Sequence, residues 1–150
     1  MLLVRGASIF KGYLGDAPTP FVEWGGKDWY KTGDLVSEDA DGFITFRGRL
    51  KRFVKKGGEM VSLPAIESVL LENFPADASN GPVLAVESTP TDELVLFTTI
   101  DLDVRSANKL IMDGGLSGLH KINRVEKIEA IPVLGTGKTD YRALKDRLKE

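Results

Sequence analysis

Along the first fifty positions the apolar residues cluster in short β-prone segments, Leu2 to Val4, Trp29-Tyr30, Asp34 to Val36 and Phe43 to Phe46, with a polar residue in the last two. Turn formers break them: Gly15-Asp16-Ala17-Pro18, Gly25-Gly26 and Asp39-Ala40-Asp41-Gly42. Runs this short cannot carry the 3.6-residue repeat of a useful helix, so the pattern predicts short strands and turns. Glu38 to Gly42 lies between two β-prone runs, which predicts a hairpin with Gly42 in the left-handed region.

Past the basic stretch Arg47 to Arg52 the pattern changes. Arg52 to Lys56 and Glu59 to Ser62 can pair around Gly57-Gly58. Ile66, Val69, Leu70 and Phe74 then recur at helical spacing behind Pro64, which is tolerated in a first turn. Val83 to Val86 and Leu94 to Ile100 are the strongest strand candidates, separated by the turn-forming Ser88 to Asp92, and should pair as a hairpin. A helix follows, with Asp103 as N-cap, Val104, Ala107, Leu110 and Ile111 on one face, and an end near Gly114-Gly115. Val125 to Ile128 suggests another strand. From Pro132 the chain crosses Gly135-Thr136-Gly137-Lys138 and enters a helix from Asp140, with Tyr141, Leu144 and Leu148 on one face.

The fold class expected is α+β. The change near Gly48 to Arg52 divides a β-rich segment, 1–50, from an α+β domain, 51–150. Apolar residues make up 42% of the 150 and charged residues 28%, a balance that fills a core. Twenty basic against 22 acidic residues give a formal charge of -2, which offers no field for nonspecific polyanion binding, so no nucleic-acid partner is expected. The chain has no cysteine and a single histidine, His120, expected at the partly exposed surface. Disulfides and thiolate or histidine metal clusters are therefore excluded, and no metal site is expected. Arg5 interrupts the apolar start too early for a signal peptide, and no apolar run reaches the ~20 residues of a membrane span.

Three segments carry candidate chemistry. In Gly135-Thr136-Gly137-Lys138 the glycines permit tight folding and close approach to a ligand, while the lysine presents a mobile cation, so the loop suits an anion. It lacks the spacing of a Walker-type P-loop, and taken alone it reads first as an ordinary exposed turn. Tyr30-Lys31-Thr32-Gly33-Asp34-Leu35 places a carboxylate where it can accept hydrogen bonds from both hydroxyls of a ribose, or simply close a turn. Gly48-Arg49-Leu50-Lys51-Arg52-Phe53-Val54-Lys55-Lys56-Gly57-Gly58-Glu59-Met60-Val61 alone is a solvated basic strand and turn.

Together and in this order the segments resemble the AMP-forming acyl-activating ligases: acyl-CoA synthetases, luciferases and peptide-synthetase adenylation domains. Tyr30 to Leu35 is similar to the family pattern Tyr-x-Thr-Gly-Asp-Leu. Gly48 to Val61 is similar to Gly-Arg-x-(Asp/Lys)-x-x-(Ile/Val)-Lys-x-x-Gly-x-x-Val, and Pro132 to Lys138 to Pro-x-x-x-x-Gly-Lys. Val4-Arg5-Gly6 through Gly12-Tyr13-Leu14 resembles the preceding family segment, so the likeness runs through essentially the whole chain. Within the superfamily, Lys51 to Leu63 and Pro132 to Asp140 most resemble the bifunctional acyl-ACP synthetase/2-acylglycerophosphoethanolamine acyltransferase. Leu134 stands where most members have Thr, and Ala65 where they have Glu.

The resemblance implies the small mobile C-terminal domain, 51–150, preceded by the distal β-rich end of a large adenylation domain, 1–50. It implies that Asp34 holds the ribose hydroxyls of ATP or AMP, that Arg49 contacts the ribose or phosphates, and that Lys51 is the hinge on which the small domain turns. Lys138 would bridge substrate carboxylate and α-phosphate during adenylation. In the alternate orientation the turn of Lys55, Gly57, Gly58 and Glu59 would admit the pantetheine thiol of acyl carrier protein or CoA. Mg would enter with ATP and the upstream domain, which is the missing partner, and the acid would be a fatty acid in phospholipid reacylation. The expected location is the cytoplasm, with the full protein on the inner membrane's cytoplasmic face. The chain alone would be inactive. An ordinary medium- or long-chain acyl-CoA synthetase shares all but the subgroup signatures, and a non-catalytic carrier-docking or nucleotide-binding module is the alternative from another class.

Overall fold

The computed structural model describes residues 1–74 and 81–149. The chain divides into two compact units, Met1–Arg52 and Phe53–Glu150. In the first, β1 (Leu3–Val4), β2 (Phe21–Trp24) and β3 (Lys27–Lys31) form an antiparallel sheet in the order β1-β3-β2, and β4 (Asp34–Glu38) pairs with β5 (Ile44–Arg49). Strand β2, which the hydrophobic pattern did not predict, is made by its turn. Gly25 and Gly26 reverse the chain, and the Trp29 indole N–H donates to the Trp24 carbonyl at 3.0 Å. The expected hairpin at Glu38 to Gly42 is present, with Gly42 at φ 85°. A 3-10 turn, Leu50–Arg52, ends the unit.

The second unit opens with a hairpin of β6 (Phe53–Lys56) and β7 (Glu59–Ser62). Gly57 and Gly58, both at positive φ, make its two-residue turn, a geometry that matches strand twist and that other residues adopt at a cost. Helix α1 (Leu63–Asn73) follows directly, with Ser62 as N-cap and Pro64 in its first turn. Strands β8 (Leu84–Ser88), β9 (Leu94–Thr98) and β10 (Arg124–Lys127) form a sheet in the order β10-β9-β8; β8 and β9 are antiparallel, and β10 joins β9 in parallel across α2 (Val104–Asp113). Helix α3 (Tyr141–Arg147) closes the chain.

The core follows from the two-residue alternation of strands. Leu84, Val86, Leu94 and Leu96 face one side of the sheet, where Leu63, Ile66 and Leu70 of α1 and Ala107 and Ile111 of α2 pack on them. Ala85, Val95 and Phe97 face the other side and meet Ile131 and Leu144. Because both faces are covered, β8 and β9 read as continuous apolar runs rather than alternating ones. Helix α2 packs so close to α1 that a Cβ on Gly114 would meet Val69 Cγ1 at 2.4 Å. Among the described residues, no helix is long and apolar enough to cross a membrane.

Candidate functional site

In the first unit Asp34 and Arg49 are cross-strand partners. They face each other because β5 carries one extra residue: Leu35 pairs with Gly48 but Val36 with Phe46, and Gly48, buried at φ 135°, absorbs the bulge that a bulkier residue would strain. Arg49 Nε lies 2.8 Å from Asp34 Oδ1, which is buried and has no aligned hydrogen bond, so the contact is one of charge. Arg49 also donates to the Thr32 carbonyl at 3.1 Å. An ion pair whose arginine side chain is 63% exposed contributes about 0–1 kcal/mol, so its effect here is orientation.

The segment before Asp34 is held from several sides. Its amide donates to Thr32 Oγ1 at 3.0 Å, its carbonyl accepts from the Leu2 amide at 2.8 Å, and Leu50 N–H donates to the Gly33 carbonyl at 2.8 Å. Thr32, which carries much of this, is a positioning residue whose role does not follow from its place in the Tyr30 to Leu35 motif. Beside it lies a concavity of about 390 Å³ lined by Tyr13, Tyr30, Lys31, Arg49, Lys51 and Arg52, a cationic wall with aromatic sides. The Tyr30 phenol, hydrogen-bonded in its protonated form to Tyr13, is raised above its usual range.

In the second unit Lys55, Gly57, Gly58 and Glu59 occupy the exposed end of the β6–β7 hairpin, and Lys56, beside the turn, has its Nζ 3.4 Å from Asn123 Oδ1. Lys138 closes a separate tight loop. Gly137 N–H donates to the Leu134 carbonyl at 2.8 Å, Leu134 N–H to the Lys138 carbonyl at 2.7 Å, and Asp140 N–H to the Pro132 carbonyl at 2.8 Å. Val133 and Thr139 bridge beneath it, and Asp140 caps α3 through the Arg142 and Ala143 amides. The backbone is thus fixed, while the Lys138 side chain is exposed and has no hydrogen-bond or ion-pair partner among the described residues. His120, half-buried, pairs with Ser117 Oγ at 3.1 Å through Nδ1 and joins no catalytic group. Among the described residues no three acidic, histidine or cysteine side chains gather where they could hold a metal.

Structure therefore brings Asp34, Arg49 and Lys51 to one region of the first unit, and sets Lys138 and the glycine hairpin on separate loops of the second. Sequence reasoning passed over Glu67, an α1 residue that is 8% exposed. A charged residue at a core-facing helical position was the available signal.

No protein-family model matches the chain. It is 27% identical over 153 residues to the 3-methylmercaptopropionyl-CoA ligase of Ruegeria pomeroyi, covering 99% of this chain and 28% of that protein. It is 30% identical over 157 residues to the medium-chain-fatty-acid–CoA ligase of Ectopseudomonas oleovorans, covering 99% and 26%. Its fold matches the structure of ATP-bound MatB from Rhodopseudomonas palustris with a TM-score of 0.64 at 24% identity, over 82% of this chain and 25% of that one. The chain thus spans roughly a quarter of the length of the curated relatives it matches. It is a small α+β unit with the fold of the C-terminal part of adenylate-forming ligases, and its homologues and structural neighbours are AMP-forming adenylate ligases.

Proposed function

We propose that this chain is the C-terminal part of an ATP-dependent, AMP-forming ligase that activates a fatty acid and passes the acyl group to the thiol of acyl carrier protein, in phospholipid reacylation. The observation that carries the reading is Lys138: an exposed ammonium with no partner among the described residues, on a loop whose backbone is closed at both ends, behind Asp34, Arg49 and the glycine hairpin in the family's order. In the first half-reaction a substrate carboxylate oxygen attacks the α-phosphorus of ATP and pyrophosphate departs. Charge builds on the phosphoryl oxygens, and a cation about 4 Å away at an effective dielectric of about 20 contributes roughly 4 kcal/mol, or about a thousandfold in rate if it acts only on the transition state. In the second, the pantetheine sulfur attacks the acyl carbon and AMP leaves, with Lys55, Gly57, Gly58 and Glu59 making room for the arm. Asp34 and Arg49 hold the nucleotide, Lys51 is the hinge, and Mg enters with ATP through the upstream domain.

The isolated chain lacks an acyl pocket on this reading and should show no ATP–pyrophosphate exchange. In the complete ligase, Lys138→Ala should lower exchange by up to about a thousandfold and leave thiol capture from synthetic acyl-adenylate within a few-fold. Equal loss of both half-reactions would contradict the assignment. A second reading, transfer to CoA instead of a carrier, is favoured by the 30% identity to a medium-chain-fatty-acid–CoA ligase. Comparing rates with carrier protein and CoA as acceptors separates the two.

A further inference from the structure

Strand β8 is the outer strand of its sheet among the described residues, so its N–H groups that point away from β9 are open to side-chain acceptors. One of them, from Val86, donates to Glu67 Oε1 at 2.8 Å. The other oxygen of the same carboxylate accepts from the Tyr141 hydroxyl at 3.0 Å, across 74 positions of sequence. Glu67 belongs to α1, on one face of the sheet; Tyr141 begins α3 and packs with the cluster on the other. A single buried carboxylate therefore reaches round the sheet edge and joins both layers.

What it joins is the point of interest. Helix α1 starts directly after β7, at the foot of the glycine hairpin, and Tyr141 is the first helical residue after the loop of Lys138. The loop's other side is anchored by Ile131, buried in the same cluster as Leu144. Packing of Ile131 and Leu144 fixes depth but is nondirectional, whereas a charge-assisted hydrogen bond to a held carboxylate fixes rotation.

We propose that Glu67 and Tyr141 are positioning residues for Lys138: through their hydrogen bond they set the direction in which its loop leaves the domain. The proposal rests on the ligase reading for its catalytic consequence alone. In the complete ligase, Tyr141→Phe keeps the ring in its apolar cluster and removes only the hydroxyl. It should lower kcat for ATP–pyrophosphate exchange between about ten- and a hundredfold, because a misplaced catalytic group loses its alignment, with the KM for ATP and the rate of thiol capture within about twofold. Glu67→Gln, which still accepts from Val86 and can donate to the Tyr141 oxygen, should retain most activity, while Glu67→Ala should match Tyr141→Phe. With Lys138→Ala already present, Tyr141→Phe should add no further loss. Equal loss in both half-reactions, no loss at all, or a full additional loss on top of Lys138→Ala would overturn the proposal. If Lys138→Ala itself shows no selective effect, the ligase reading fails, and amide exchange in this chain decides the positioning claim alone. Tyr141→Phe should then speed exchange at Leu134 and Asp140 about tenfold while Leu94 to Phe97 stay protected. Uniform acceleration, or none, would show that the bond orients nothing.

Discussion

The two units use the same residue types to different ends. In Met1–Arg52 the large apolar side chains stay accessible, and Phe43, Ile44 and Phe46 are 70%, 57% and 62% exposed; in Phe53–Glu150 Phe97, Leu94, Leu96 and Ile111 are sealed from solvent. Two short sheets without a helix cannot bury a face, whereas a sheet covered on both sides makes two cores. Order in the first unit rests on turns, backbone pairing and aromatic contacts such as Phe10 with Tyr13, tilted, and with Tyr30, edge-on, both at 5.2 Å. That difference teaches where stability and chemistry separate: Asp34 and Arg49 sit on the poorly cored unit, Lys138 on the well-cored one. On the proposed reading the adenylation domain covers the exposed strands of the first.

The sharpest way to break this comparison is to divide the chain. Residues 53–150 should unfold in one cooperative thermal transition followed by circular dichroism, while 1–52 should show none. A cooperative transition in 1–52 would mean that its exposed strands suffice for a core. Next in size, Phe97→Ala should cost about 3–5 kcal/mol in denaturant unfolding, by loss of burial and a cavity, whereas Phe46→Ala should change stability by no more than ~0.5 kcal/mol. Comparable losses would erase the distinction between the units.

The smallest effect sharpens the second unit alone. Asp103 caps α2, accepting from the Ser106 amide at 2.8 Å and its hydroxyl at 3.1 Å, and these bonds hold its carboxyl below the usual value of 3.8. A group whose folded value is lowered stabilises fully above its unfolded value and loses that contribution as pH falls through the folded one. Between about pH 5 and pH 2.5 the wild-type melting temperature should therefore fall slightly more than that of Asp103→Asn, which keeps a neutral acceptor. Parallel curves would show that the cap's charge contributes nothing.

Much of the second unit was legible in the sequence because its signals are local. Pro64, Asp103, Gly57-Gly58 and the apolar spacing of α1 and α2 each act within a few residues. Strand β2 was missed because Phe21 to Trp24 has no alternation to betray it and depends on the Trp29 indole across the turn. The boundary read at Leu50 lies two residues before the Arg52 end of the compact first unit, since a 3-10 turn carries on past the last strand. The parallel placement of β10 could not be read locally either, because α2 and the loop after it choose the direction of return. Of the candidate site, residue types and order were legible from the three motifs. The Asp34–Arg49 pairing was not, because it follows from a one-residue bulge.

By itself the sequence determined the order of strands and helices in the second unit, the glycine turns, the Asp103 cap and the lysine on its glycine loop, all of which follow from short-range sterics and hydrogen bonding. Only the tertiary structure decided that Arg49 would face Asp34, that one sheet would have two cores, and that Glu67 would meet Tyr141. Such contacts join residues far apart in the chain, and their geometry is set by packing of the elements between them.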